Sequence, residues 1–125
     1  MLFFTSDAKN LRLAPFVELM KTSCFADATS LALVNSRVFW MQDQTRVVTM
    51  ASVSPDGVVW NVCVDKEMRG RGLAHMLLKH IMATTNGPLR LYVDAVHAGA
   101  RRLYERVGFR VIAQHGDIVV MSTEK

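Results

Sequence analysis

Short apolar runs separated by turn-forming residues dominate the first half of the chain. The runs that are typical of strands are Leu2–Thr5, Val38–Met41, Val47–Val53 and Val58–Val64. Turns separate the last three: Asp43–Thr45 lies in the first gap, and Ser54–Gly57 in the second combines the fixed φ of proline with the free φ of glycine. The pattern therefore predicts that these three strands form an antiparallel meander.

Two segments of the second half repeat apolar residues at helical spacing. The first predicted helix runs over Leu73–Met82 and is ended by Asn86-Gly87-Pro88; its predicted apolar face consists of Leu73, Ala74, Leu77, Leu78, Ile81 and Met82. The second carries Ala100, Leu103, Tyr104 and Val107 on one face before Gly108. The remaining predicted strands are Leu89–Val93, Phe109–Ala113 and Ile118–Met121, the last two forming a hairpin across His115–Asp117. A strand, helix and strand of this length imply a right-handed crossover and a parallel pair of strands.

The segment after the first strand is harder to interpret. Asp7 could cap a helix that runs to Met20, but Pro15 interrupts it, so the helix either starts late or kinks there. Residues 24–34 are ambiguous, because Ala26, Ala28, Leu31 and Ala32 suit a helix whereas Leu31–Val34 could be extended.

A glycine-rich turn, Arg69-Gly70-Arg71-Gly72-Leu73-Ala74, joins the fourth strand to the first strong helix. The first N–H groups of a helix have no partner inside it and carry the positive end of the helix dipole, so an anion can bind there. The spacing excludes a dinucleotide-binding turn, because His75 stands where the third glycine would be, and it excludes a P-loop. The plain alternative is a flexible glycine start to a surface helix.

The turn resembles the pyrophosphate-binding signature of the GNAT superfamily of N-acetyltransferases, since its spacing is Arg-x-x-Gly-x-Ala. The segment from His97 to Phe109 is similar to a second signature of the family. His97 stands where that signature usually has asparagine. Its matching residues are Ala100, Leu103, Tyr104, Gly108 and Phe109. The resemblance extends from about Arg37 to the C-terminus, and both signatures occur in the family's order.

The resemblance implies an α/β (α+β) fold and a single acetyltransferase domain over residues 1–125. Its mixed, mostly antiparallel sheet is flanked by helices, with a splayed parallel strand pair that binds the cofactor. It also implies transfer of the acetyl group of acetyl-CoA to a primary amine, on a small molecule, a protein lysine or a protein N-terminus. The residues expected to bind coenzyme A are Val62, Cys63, Val64, Arg69, Gly70, Arg71, Gly72, Leu73, Ala74, His75 and His97.

Tyr104 occupies the position that the family most often uses to protonate the leaving thiolate, and it is the expected catalytic residue. A backbone N–H near Val62 is the expected donor to the thioester oxygen. Many relatives carry a glutamate base on the fourth strand, where this chain has Trp60 and Asn61. The acids Glu18, Asp56, Asp65 and Asp94 have no clear claim to that role, so a water chain is the remaining candidate.

The composition of the chain limits the classes of binding partner that we expect. The net charge of +4 is explained in part by arginines near a polyanionic cofactor, and the 8% aromatic content without basic–aromatic interleaving argues against nucleic acid. Cys24 and Cys63 are expected to be buried, reduced thiols. The sequence has no residue spacing typical of metal ligands. It contains no signal peptide or membrane span, so we expect a cytoplasmic protein. We expect this protein to be a monomer or a homodimer.

Two other functions stay open at this point. The missing base and His97 favour a catalytically silent module that binds acyl-CoA, and the basic charge favours an acetyltransferase that acts on an RNA-linked amine.

Overall fold

The computed structural model describes residues 1–124. The strands are β1 (Leu2–Asp7), β2 (Arg37–Asp43), β3 (Arg46–Val53), β4 (Val59–Val64), β5 (Arg90–Asp94), β6 (Arg110–His115) and β7 (Ile118–Ser122). The helices are α1 (Ala14–Ser23), α2 (Leu73–Thr84) and α3 (Ala98–Val107), with short 3₁₀ turns at Ala8–Asn10, Ser30–Leu33 and Lys66–Met68.

The strands form two antiparallel sheets that meet at one point. The first sheet has the order β1-β2-β3-β4 and the second has the order β5-β7-β6. Between β4 and β5 the described residues contain a single parallel bridge, Val58 to Arg90, next to an Arg90 N–H that donates to the Gly57 oxygen at 2.9 Å. Beyond this bridge β4 and β5 diverge, and we call the gap between them the split. The predicted parallel pair is thus reduced to one bridge, and the splayed arrangement that the resemblance implies is confirmed.

Two apolar clusters lie on opposite faces of the first sheet. Helices α2 and α3 pack on one face and extend across the split to β5 and β7, through buried residues such as Leu77, Val59 and Leu91. Helix α1 packs on the other face through Phe16, Leu19 and Met20. On the α1 side, the second sheet is covered less than the first, because Tyr92 and Ile118 are exposed there.

The predicted apolar stripe explains how α2 is held. Its buried residues are Leu73, Ala74, Leu77, Leu78 and Ile81, which confirms the predicted face. The helix ends at Thr84, ahead of the predicted glycine–proline stop. Burying aliphatic side chains of this size stabilises the fold by about 1.5–3 kcal/mol each, so α2 is anchored firmly below its glycine-rich start.

The prediction that Asp7 caps a long helix was wrong. Strand β1 continues through Asp7, whose carboxylate lies 3.2 Å from the Arg37 guanidinium on the paired strand β2. The late start that Pro15 suggested is confirmed, because α1 begins at Ala14 with the proline in its first turn, where a missing N–H costs no hydrogen bond.

The segment that follows α1 adopts neither of the two predicted regular structures over most of its length. It contains only the 3₁₀ turn Ser30–Leu33, which begins with the Thr29 hydroxyl accepting from the Leu31 N–H. No helix within residues 1–124 is both long enough and apolar enough to cross a membrane.

Candidate active site

The glycine-rich turn has an open backbone at the start of α2. Gly70 and Gly72 adopt φ angles of 80° and 73°, and a Cβ at either position would meet no atom within 4 Å. The first bond inside the helix runs from the Met76 N–H to the Gly72 oxygen at 3.0 Å, so the preceding amides of Leu73, Ala74 and His75 have no intrahelical acceptor. This geometry suits an anion.

The side chains around the turn differ in what they contact. Arg71 is exposed and makes no hydrogen bond to residues 1–124, whereas the Arg69 guanidinium donates to the Ser23 carbonyl at the end of α1. A cation at a helix C-terminus satisfies a free carbonyl and complements the dipole. The Lys66 N–H also donates to the Ser23 hydroxyl at 3.1 Å. The end of α1 is therefore fastened to the loop that precedes the glycine turn.

A disulfide strengthens this connection. Cys24, just after α1, is bonded to Cys63 in β4 with a Cα–Cα distance of 6.0 Å, which is ordinary for a disulfide. The expectation of two reduced thiols was wrong, because the packing of α1 on the sheet brings residues 39 positions apart into contact. Cys63 points its sulfur toward α1, while its backbone oxygen accepts from the Thr49 hydroxyl at 2.8 Å.

Asp65, one of the acids considered as a base, has a structural role. Its carboxylate accepts from the Glu67 N–H at 2.9 Å and pairs with the Arg46 guanidinium. Burial opposes its ionisation, but the hydrogen bond from Glu67 and the Arg46 charge outweigh burial and lower its pKa. A carboxylate held this way is a poor proton acceptor at neutral pH.

A β-bulge reshapes β4 at the residues where many relatives carry a base. Ser52 pairs with Trp60 and Met50 pairs with Cys63, so Ala51 faces the two residues Asn61 and Val62. Asn61 takes the left-handed conformation with φ 58°, which asparagine tolerates better than most residues.

The Asn61 side chain connects β4 to the loop after α1. Its Nδ2 donates to the Ser52 hydroxyl at 2.9 Å and to the Ala32 carbonyl at 3.1 Å. Its Oδ1 accepts no hydrogen bond from residues 1–124, so this oxygen is free to bind a donor from another molecule.

Two aromatic rings face each other across the split. Trp60 lies two residues beyond Val58, and Tyr92 lies two residues beyond Arg90, so they form the next same-face pair after the bridge. Their ring centroids are 5.7 Å apart with an interplanar angle of 29°. The rings point away from α2 and α3 and remain 47% and 43% exposed. They therefore cover the vertex of the split on the α1 side.

A cavity of about 300 Å³ opens beside this aromatic pair. Its lining is Ala32, Val34, Ser36, Ser52, Ser54, Trp60 and Asn61. None of these side chains is charged. The cavity is assembled from the loop after α1, the end of β3 and the bulged part of β4, so three distant segments contribute to it.

A larger cavity of about 590 Å³ shares Ser36 and Ser54 with the first one, but it is also lined by Phe39 and Val53 of the cluster on the α2 side. Charged side chains enter here, namely Lys9 and the paired Asp7 and Arg37. The two cavities therefore differ in their lining, which is uncharged beside the split and partly charged in the larger cavity.

Tyr104 lies on α3, half-buried against the cluster that also includes Val62 and Val64. Its ring meets Phe109 edge-on at 6.0 Å, and its hydroxyl makes no hydrogen bond to residues 1–124. Burial raises the pKa of Tyr104, so the phenol keeps its proton at neutral pH.

The remaining predicted residues have simple environments. His97 is the N-cap residue of α3, is exposed, and makes no side-chain capping bond. Glu18 and Asp56 are exposed, and the Ser54 hydroxyl lowers the pKa of Asp56 by donating to its carboxylate. Within residues 1–124 there is no group of three side chains that could together hold a metal ion.

The profile of the acetyltransferase (GNAT) domain matches residues 35–111, which include both signatures and every strand of the split. The chain belongs to the GNAT acetyltransferase family. Family membership accounts for the two sheets, the split and the glycine turn in one scheme.

Two curated relatives are similar to part of this chain. The 5-NmdU N-acetyltransferase of Pseudomonas phage PaMx11 is 39% identical over 62 residues, which are 49% of this chain and 44% of that protein. The mycothiol acetyltransferase of Corynebacterium jeikeium (strain K411) is 36% identical over 67 residues, which are 50% of this chain and 19% of that protein. The match thus spans less than half the length of either relative.

A solved structure matches almost the whole chain. The GNAT family acetyltransferase from Elizabethkingia anophelis, determined with acetyl-CoA bound, superposes with a TM-score of 0.76 at 14% identity, covering 99% of this chain and 97% of that one. At this identity the match establishes the shared fold.

The residues on the α1 side of the split were not predicted from the sequence. Trp60 and Asn61 entered the prediction only as the residues that replace a glutamate, and no role was predicted for Tyr92. One feature of the sequence indicates where these two aromatic residues point. Trp60 and Tyr92 directly follow Val59 and Leu91, which face the core, so strand alternation places both rings outward. The contribution of Ala32 and Val34 had no comparable signal.

Proposed function

We propose that this protein is an N-acetyltransferase that transfers the acetyl group of acetyl-CoA directly to a primary amine in a ternary complex. The observation that carries the proposal is the set of backbone amides at the start of α2 that have no acceptor within the helix. They lie just beyond the end of β4 and beside the split. An anion site and an opening between strands at one place suit a long cofactor with a diphosphate at one end.

The cofactor would be held along this path. The amides and glycines of residues 70–75 suit the diphosphate, with Arg71 free to add charge. The free edge of Val62–Val64 suits the amides of the pantetheine arm, because β4 has no strand partner there on the β5 side. His97 is exposed at the start of α3 and available for a further contact. Bound acetyl-CoA supplies the reactive thioester.

The reaction needs one bond made and one broken. The amine nitrogen attacks the thioester carbon, an amide bond forms, the carbon–sulfur bond breaks, and water removes the amine proton. A backbone N–H near Val62 is the proposed donor to the carbonyl oxygen. Tyr104, protonated at neutral pH, is the proposed proton donor to the leaving thiolate.

Thermal unfolding in the presence of acetyl-CoA tests cofactor binding. A ligand at a hundred times its Kd stabilises a protein by about 2.7 kcal/mol, so the Tm should rise with acetyl-CoA concentration. Release of free thiol in the presence of a panel of amines then tests turnover. A Tm that does not respond to acetyl-CoA contradicts the proposal.

A catalytically silent acyl-CoA-binding module is the second candidate. The observation in its favour is that no carboxylate lines the cavity beside the split. Acetyl-CoA binding without thiol release for every amine tested would support this module instead.

A further inference from the structure

We propose that the acceptor amine is carried on an uncharged, flat ring of the nucleobase kind, which binds in the cavity beside the split against Trp60, the residue that stacks on Tyr92. This inference rests on the proposed acetyltransferase function and names the substrate class of the same site.

The position of the cavity fits an acceptor. Trp60 and Tyr92 stand at the vertex of the split on the α1 side, whereas the glycine turn starts the helix that covers the opposite face. An acetyl group carried into the split from the α2 side would meet an acceptor held on the α1 side. The two reactants therefore approach from opposite faces of the sheet without competing for space.

Trp60 selects for a flat partner. It lines the cavity and stacks on Tyr92, and it is about half exposed although its ring is large enough to gain from burial. Aromatic side chains that stack on bases contribute about tenfold or more to affinity per base, and the stacking tolerates any base because each has a π-face. A puckered or linear aliphatic group cannot make this contact over the same area.

The lining selects for a neutral amine. A charged ammonium in this cavity would have no carboxylate to pair with, and an unpaired charge that loses its water is strongly disfavoured. The free Asn61 Oδ1 offers a single acceptor for one N–H of an uncharged amine. Any alkylamine, whether on a flat ring or on a lysine, would therefore react here in its neutral form, and the ring rather than the charge distinguishes the acceptors.

The size of the cavity agrees with one ring. Its volume of about 300 Å³ lies at the small end of ligand pockets, which suits a single ring. The name of the phage relative, a 5-NmdU N-acetyltransferase, refers to a modified nucleotide, which is the same chemical class.

Matched acceptors test the inference by thiol release from acetyl-CoA. The flat probes are 5-(aminomethyl)uracil and benzylamine, and the matched non-flat probe is cyclohexylmethylamine, which has the same carbon skeleton as benzylamine. Butylamine and a lysine peptide complete the panel. We expect kcat/KM for the flat probes to exceed that for cyclohexylmethylamine by about tenfold or more. Equal values, or a preference for the lysine peptide, would overturn the inference.

Substitutions then locate the selectivity. Trp60→Leu should raise KM for the flat probes about tenfold and that of butylamine much less, whereas Trp60→Phe should retain most of the preference. Phe25→Leu is the matched control, because Phe25 is a 41% exposed aromatic residue that lines neither cavity. Selectivity that survives Trp60→Leu, or that is equally lost in Phe25→Leu, contradicts the assignment to this cavity.

The inference and the proposed function fail in different ways. Turnover of butylamine and the lysine peptide at rates equal to the flat probes keeps the acetyltransferase but overturns the flat-ring acceptor. No thiol release with any probe, despite binding of acetyl-CoA, overturns both and supports the silent module.

Discussion

The two sides of the split are built in different ways. On the cofactor side, six consecutive residues make the glycine turn, and its helix is anchored by a stripe of buried side chains. On the acceptor side, three segments far apart in sequence contribute a few side chains each. The comparison teaches that the proposed cofactor site is local in sequence, whereas the proposed acceptor site is assembled by packing.

The two sides are also physically connected. The Cys24–Cys63 disulfide fastens the start of the loop after α1 to β4, and the Arg69 contact to Ser23 fastens the end of α1 to the loop before α2. If the two sides function separately, a substitution on one side should change the affinity for one ligand and leave the affinity for the other unchanged. The following predictions test this separation, from the largest expected effect to the smallest.

Gly72→Glu should abolish acetyl-CoA binding. Position 72 has a φ of 73°, which strains any residue other than glycine, and a carboxylate there repels a diphosphate. Loss of two charged hydrogen bonds corresponds to an affinity lower by about a thousandfold. Isothermal titration with acetyl-CoA measures this. Gly87→Glu is the control, because Gly87 has a φ of 90° and equally open surroundings beyond the other end of α2. Similar affinities in both variants would mean that the diphosphate binds elsewhere.

Cys24→Ser should reduce stability and loosen the acceptor side. Opening a loop of this length, with a sequence separation of 39, costs about 3–4 kcal/mol of unfolding free energy in the chain-entropy account. Chemical denaturation measures the loss, and wild-type protein in reducing agent should lose stability to the same extent. We also expect the acceptor KM to rise while the Kd of acetyl-CoA changes little. A reductant that leaves wild-type stability unchanged would argue against the disulfide.

Tyr104→Phe should lower kcat about a hundredfold, the lower end of what a positioned proton donor contributes. The Kd of acetyl-CoA should stay close to that of the wild type, since only a hydroxyl without a protein partner is removed. Because burial raises the pKa of Tyr104, the wild-type rate should show no fall from its deprotonation around neutral pH. Stopped-flow thiol release across pH measures both effects. Full activity in Tyr104→Phe would return this residue to a packing role.

Asp65→Asn should have the smallest effect, a loss of about 1 kcal/mol at neutral pH, comparable to the loss of a capping side chain. The folded pKa of Asp65 is lowered, so its contribution is present above the unfolded pKa of about 3.9 and is lost as pH falls through the lower folded value. Denaturation at pH 7 and at about pH 2 measures this. The difference between wild type and variant should shrink in acid; a constant difference would mean that the carboxylate charge does not matter.

Much of the fold could be predicted from local patterns. The meander, the stripe on α2, the face of α3 and the glycine turn each depend on residues close together in sequence. The start of α1 was less predictable, because Asp7 can cap a helix or pair with Arg37 on a neighbouring strand, and only the pairing of β1 with β2 decides between them.

The sequence by itself determined the family, the glycine-rich turn and the position of Tyr104, because each depends on residues within a few positions of one another. Only the tertiary structure decided which residues meet on the α1 side of the split. The disulfide, the bond from Asn61 to Ala32 and the stacking of Trp60 on Tyr92 join residues separated by about thirty or more positions. Which distant side chains meet depends on how α1 and the two sheets pack, and no local pattern records that.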